Sequence, residues 1–284
     1  MFKSLTDGKL LANGKVLPCL GYGTWRTPDG DVCINGVRTA LTLGYRHIDT
    51  AQIYDNENGV GVGIKNSGVK REDIFLTTKV WNTHQGYDST MRAFEDSLKK
   101  LKTDYVDLYL VHWPVAKDFK STYPSKMLDT YRALEELYEG GVAKAIGVCN
   151  FLPHHLKSLL DNCNIKPMVD QIELHVGYHQ QETVNFCHEN GIVLEAWSPI
   201  CKGTGFDNEI VQEISKDIDK TPAQIFIRWC LQKEFTPLPK SVKPSRILEN
   251  MEVFDFNLTH KQMSALDSIK EIGRLGSHPD DCNF

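Results

Sequence analysis

Short apolar runs recur along the chain about every 20 to 40 residues: 20–25, 46–51, 74–80, 106–113, 145–151, 168–174, 192–199 and 235–242. That makes eight. Most are continuous rather than alternating, the pattern of strands buried on both faces of a parallel sheet. Helical periodicity fills the stretches between them. In 89–103, Met91, Phe94, Leu98 and Leu101 repeat at three and four residues with charges elsewhere. Further helices are predicted at 31–43, 57–66, 127–140, 153–162, 181–190, 208–218, 222–232 and 260–269. The last two carry start signals. Thr221 and Thr259 stand at caps, each with a glutamine three residues on, and Pro222 follows the first. Strand–helix alternation, eight times over, predicts an α/β fold of the (β/α)8 TIM barrel type. Asn13-Gly14 between two short apolar segments predicts an N-terminal β-hairpin that plugs the amino end of the barrel. No linker, repeat or low-complexity block interrupts residues 1–284, so the expectation is one domain.

Composition narrows the function. The 284 residues carry a net charge of -5, so no basic surface points to nucleic acid or an anionic membrane. No apolar run approaches the ~20 residues a bilayer span needs. The opening "MFKSLTDGKL" lacks a secretion core, and a cytoplasmic, monomeric protein is the expectation. Eight cysteines at 19, 33, 149, 163, 187, 201, 230 and 282 include no C-x-x-C pair. They read as small buried hydrophobes, not as disulfides or a metal centre. The sequon at Asn257 reads as chance.

Four residues suggest chemistry. Asp49 ends the second run, Lys79 the third and His112 the fourth, while Tyr54 follows Asp49 by five residues. Barrel active sites lie at the carboxyl ends of strands, which would bring the four together. A phenol titrates near pH 10, and a neighbouring ammonium favours its ionised form. Lys79, held by Asp49, would therefore make Tyr54 a general acid. His112 would orient and polarise a carbonyl oxygen. Such a carbonyl lacks only a hydride. Alone, each residue also has a structural reading, and a buried strand Asp is often only a hydrogen-bonder.

A hydride donor needs a site. No Rossmann fingerprint or P-loop is present, and "GVGVG" at 59–63 reads as small residues packing inside a helix. A phosphate site is suggested instead by Lys240, Ser241, Lys243 and Arg246 after the eighth run. Gly203 and Gly205 after the seventh run would admit a pyrophosphate close to the backbone.

These motifs resemble the aldo-keto reductase family over nearly the whole chain. "GYRHIDTAQIYDNE", "TTKVWN", "VDLYLVHWP", "GVCNF", "QIELH", "EAWSPI", "PKSVKPSRILEN" and "VFDFNLT" stand in the family's order. The short tail is similar to bacterial and protozoan members such as diketogluconate reductases and prostaglandin F synthases. The resemblance implies a catalytic tetrad of Asp49, Tyr54, Lys79 and His112, with NADPH as hydride donor and a small carbonyl compound as substrate. It implies that Asn150 and Gln171 bind the nicotinamide carboxamide and that Trp197 stacks on the ring. Ser198, Ile200 and Gly203 would follow the pyrophosphate. Lys240, Ser241 and Arg246 would surround the 2′-phosphate, with Asn250 near the adenine. Gly23, Thr24, Trp25 and Cys149 complete the implied cofactor set. Trp25, Trp81 and Trp113 would line the substrate pocket beside Tyr54 and His112, with help from Phe284. Cys149 stands where the family usually has serine, Trp197 where it has tyrosine or phenylalanine, and Val176 where it has proline.

Two other readings remain at this stage. One is a non-catalytic binding protein on the same fold. The other is a lyase or isomerase using Lys79 as a Schiff base.

Overall fold

In the computed structural model, which describes residues 2–270 and 272–284, eight parallel strands run side by side in chain order. They are β3 (Tyr22–Gly23), β4 (His47–Asp49), β5 (Phe75–Val80), β6 (Leu108–Val111), β7 (Ile146–Cys149), β8 (Val169–Glu173), β9 (Val193–Trp197) and β10 (Thr236–Pro237). Backbone hydrogen bonds from Gly21 N–H to the Pro237 carbonyl and from Gly23 N–H to the Pro239 carbonyl, both 3.0 Å, join the last strand to the first. The sheet is a closed barrel, as the alternation predicts. The strands are shorter than the apolar runs. β10 has two residues, as does β3, and it is short because Pro237 and Pro239 have no N–H to donate. Only Leu238 between them donates, to Ala196 O at 3.0 Å.

A hairpin of β1 (Gly8–Leu10) and β2 (Val16–Pro18) precedes the barrel. Its Leu11 and Leu17 pack with Phe75, Leu108, Ala145, Met168 and Val169. Phe75, Leu108 and Val169 begin their strands, so the hairpin closes the amino end and the site must lie at the other.

The helices are α1 (Asp31–Leu43), α2 (Glu57–Ser67), α3 (Tyr87–Leu101), α4 (Ser125–Glu139), α5 (Pro153–Leu160), α6 (Gln181–Glu189), α7 (Glu209–Ile218), α8 (Pro222–Gln232), α9 (Pro244–Glu249) and α10 (His260–Ser268). Both expected capping boxes form, at Thr221 with Gln224 and at Thr259 with Gln262. The glycines of 59–63 do lie in a helix. A Cβ on Gly61 would meet Leu101 O at 2.4 Å, and one on Gly63 would meet Val37 Cβ at 2.8 Å. Only glycine lets α2 approach its neighbours so closely.

One helix is new. α9 falls in the run read as a phosphate loop, and it packs against α1. Pro244 at its first turn favours that start. Ile247 is its single buried side chain, too little for a periodic signal. All eight cysteines are free, seven of them buried. Among the described residues, no helix is long and apolar enough to cross a membrane.

Candidate active site

Register sets the site. Gly23 pairs with Asp49, Asp49 with Thr77, Lys79 with Leu110, Cys149 with Gln171 and Glu173 with Trp197. Gly23, Asp49, Lys79, Leu110, Cys149, Glu173 and Trp197 lie at or next to the carboxyl ends of their strands, with Thr77 and Gln171 further in. Asp49 ends β4, Lys79 stands one residue short of the end of β5, and His112 follows β6. Tyr54 closes a short 3₁₀ turn, Gln52–Tyr54, in the loop after β4.

The four residues meet. Lys79 Nζ lies 2.8 and 2.7 Å from the two Asp49 carboxylate oxygens, and it also donates to Thr50 O at 2.9 Å. Its remaining contact is the Tyr54 hydroxyl at 3.4 Å. The Tyr54 and His112 rings meet edge to face at 5.8 Å. Lys79 is fully buried. Burial alone would discharge it, but Asp49 and Tyr54 outweigh that and hold its pKa above the usual lysine range.

Tyr54 departs from the simple expectation. Burial raises its pKa, Lys79 pulls it down, and Asp49 opposes Lys79. Burial wins, so the phenol keeps its proton. His112 is held well below the ordinary histidine range by burial and by Lys79. It is therefore neutral, and its buried Nδ1 has no hydrogen-bond partner among the described residues.

Above these residues opens a cleft of about 960 Å³. Tyr54, Trp81, His112 and Trp113 line its deep part, and Phe284 closes it. The Phe284 ring stacks on Trp81 at 5.4 Å and meets Trp113 edge-on at 5.3 Å. Gly23, Trp25, Asp49, Cys149, Asn150, Gln171, Trp197, Ser198, Ile200 and Lys240 also line it. Five residues expected at the cofactor do not. Thr24 is buried with its hydroxyl donating to Asp49 O at 2.9 Å. Gly203 lies in the turn Cys201–Gly203. Ser241 Oγ accepts from Lys243 N–H at 3.1 Å, Arg246 is exposed on α9, and Asn250 is buried at the end of α9.

Side-chain amides and Trp197 share hydrogen bonds. Trp197 Nε1 donates to Asn150 Oδ1 at 2.8 Å, while Asn150 Nδ2 donates to His112 O at 2.9 Å. Asn150 Nδ2 also donates to Cys149 Sγ at 3.2 Å. Gln171 Nε2 donates both ways, to Asp49 Oδ2 at 2.9 Å and to Glu195 Oε2 at 2.8 Å.

Three features escaped the sequence reading. Arg26 and Lys202 line the cleft beside Trp25, with their charges 4.5 and 5.4 Å from its ring. Basic residues next to "GTW" and "ICKG" were the available signal. The tethers of the tail are the second. Glu173 accepts from Leu275 and Gly276 N–H at 2.7 and 3.1 Å, and Asp280 Oδ1 lies 2.8 Å from both His154 Nε2 and His155 Nε2. These tethers bring Leu275, Gly276 and Ser277 into the cleft wall. Glu195, the third, lies beneath.

Residues 19–271 match the Aldo/keto reductase family. The chain belongs to that family. This aldo-keto reductase is 46% identical over 281 residues to the glyoxal reductase of Bacillus subtilis (strain 168), covering 99% of each chain. It is 47% identical over 273 residues to the 9,11-endoperoxide prostaglandin H2 reductase of Trypanosoma cruzi (strain CL Brener), covering 95% of this chain and 94% of that one. A solved structure of a Gox0644 variant in complex with NADPH superposes with a TM-score of 0.90 at 39% identity, covering 97% of this chain and 98% of that one.

Proposed function

We propose that this aldo-keto reductase reduces small aldehydes and ketones to alcohols with NADPH, Tyr54 donating the proton. The observation that carries the reading is the buried Asp49–Lys79–Tyr54 chain opening onto a cleft beside His112. The likeness to glyoxal and prostaglandin H2 reductases supports a carbonyl substrate. The NADPH-bound neighbour supports the cofactor.

The cleft fits that cofactor chemically. At one end stand Arg26, Lys202 and Lys240, with exposed Lys243 and Arg246 beyond them. These cations suit a pyrophosphate and a 2′-phosphate. Trp197 and the Gln171 amide, whose Oε1 faces Cys149 Sγ at 4.0 Å, also line the cleft. When bound, NADPH supplies the hydride. Everything else falls to side chains of this protein. Neutral His112 offers a ring N–H to the carbonyl oxygen and fixes its position. Tyr54 holds its proton in the ground state because burial favours the neutral phenol. It releases that proton as negative charge grows on the oxygen, and Lys79 stabilises the phenolate left behind. Asp49 keeps Lys79 charged. Trp81, Trp113 and Phe284 exclude water.

Loss of NADPH absorbance on adding glyoxal, methylglyoxal or p-nitrobenzaldehyde tests this reading, with NADH as the comparison. No turnover of any aldehyde would return the protein to a binding role.

A further inference from the structure

Beneath the tetrad lies a second buried carboxyl that the proposed reaction does not use. Glu195 is fully buried in the middle of β9, and its strand neighbours in register are Gln171 on β8 and Thr236 on β10. Its Oε2 accepts from Gln171 Nε2 at 2.8 Å; the same nitrogen donates to Asp49 Oδ2 at 2.9 Å. One amide nitrogen thus bridges two carboxyl groups. With both N–H bonds pointed down, Gln171 Oε1 turns away from them, and among the described residues its side-chain hydrogen-bond partner is Cys149 Sγ at 4.0 Å. A flipped amide would set Oε1 against two carboxyl oxygens.

Among the described residues, Glu195 Oε1 has no hydrogen-bond partner. Its nearest titratable neighbour is His47 Nε2 at 3.5 Å, which itself lies 3.1 Å from Thr77 Oγ1. Lys79 on β5, Asp49 on β4 and Cys149 on β7 are the remaining titratable groups that sense it. Thr236 on β10 is uncharged, and its hydroxyl has no hydrogen-bond partner among the described residues.

We propose that Glu195 is a positioning residue of the reductase: it fixes the Gln171 amide under the cofactor cleft, and its charge state governs how readily Tyr54 gives up its proton. The inference rests on the reductase reading above. Burial, with the charge of Asp49, pushes the Glu195 carboxyl up to about 8, while burial and Lys79 push His47 down to about 3. The two are therefore a neutral pair near pH 7, not an ion pair. In that state Lys79 and Asp49 balance, and a Tyr54 phenolate adds one negative charge. Once Glu195 ionises, the pocket already carries an excess negative charge, and the phenolate would add a second. Like charges in a buried site oppose each other strongly. Proton donation therefore weakens as pH rises through the Glu195 titration.

The test is kcat against pH with saturating NADPH and one good aldehyde, for wild type, Glu195→Gln and Glu195→Leu. NADPH Kd at neutral pH, read by quenching of tryptophan emission, supplies a second measurement that needs no turnover. Wild type should lose kcat above about pH 8. Glu195→Gln, which accepts a hydrogen bond but never ionises, should hold its kcat through that range. Glu195→Leu leaves one Gln171 N–H unsatisfied and should weaken NADPH binding by about tenfold. An alkaline fall that persists unchanged in Glu195→Gln, or Glu195→Leu binding NADPH as wild type does, overturns this role alone. A wild type that consumes no NADPH overturns the reductase reading beneath it.

Discussion

The indole Nε1 of Trp197 donates a hydrogen bond to Oδ1 of Asn150 at 2.8 Å. Asn150 sits at φ 65°, in the left-handed region that asparagine tolerates better than most residues. Its amide nitrogen is spent on His112 O and Cys149 Sγ. Asn150 is therefore first a brace between β6, β7 and β9, with one lone pair left for a ligand. Trp197 is held flat by the same bond, and Gly276 of the tail lies so near that a Cβ there would meet the ring at 2.4 Å.

Trp197→Ala should weaken NADPH binding by about five- to thirtyfold, the effect of about 1–2 kcal/mol of lost ring stacking. Trp197→Phe keeps a face and should weaken it by only about threefold. Fluorescence or calorimetric titration measures both. Equal losses in the two variants would show that the hydrogen bond to Asn150, not the ring face, is what the cofactor needs.

The tail predicts substrate range. Phe284 covers Trp81 and Trp113, and its backbone carbonyl accepts from Asn82 Nδ2 at 3.2 Å. Phe284→Ala should raise KM for aromatic aldehydes by about tenfold, the effect of about 1.4 kcal/mol of lost aromatic contact. KM for glyoxal, too small to reach that wall, should change much less. A parallel rise for both substrates would mean that the ring orders the whole cleft instead of forming one wall.

Mild acid should act through His47. Its folded pKa of about 3 lies below the ordinary value of 6.5. Between the two, the unfolded chain binds a proton that the folded protein refuses, so this histidine's contribution to stability falls as pH falls from 6.5 toward 3. Other buried groups titrate over the same range, so the clean readout is a difference. Relative to wild type, His47→Gln should gain about 1.4 kcal/mol per pH unit below about pH 6 in urea unfolding. A constant difference between pH 6 and 4 would show that His47 is already protonated in the fold.

The sequence made the barrel legible because its strands are buried on both faces and its helices are amphipathic, two periodicities that do not resemble each other. The meeting of Asp49, Tyr54, Lys79 and His112 was legible because strand ends are fixed points in this architecture. Asp49, Lys79 and His112 needed only their place in each run. What was hidden depends on three-dimensional neighbours. α9 has one buried side chain, Ile247, and so no period to detect. Glu195 sits in "LEAW" like any strand residue, and only the register of β8 and β9 sets it against Gln171. The sign of the Tyr54 shift was hidden too, because Lys79 is visible in the sequence but the depth of burial that outweighs it is not. The tail's tethers at Glu173, His154 and His155 join segments more than a hundred residues apart.

The central claim is that Tyr54 delivers the proton, and Tyr54→Phe tests it most directly. The variant removes one hydroxyl and keeps the ring that packs against His112 and Lys79. NADPH should bind with a Kd within about threefold of wild type, while kcat for a good aldehyde should fall by about 10²–10⁴-fold, the range general acids supply. Tight NADPH binding together with turnover near the wild-type rate would contradict the account.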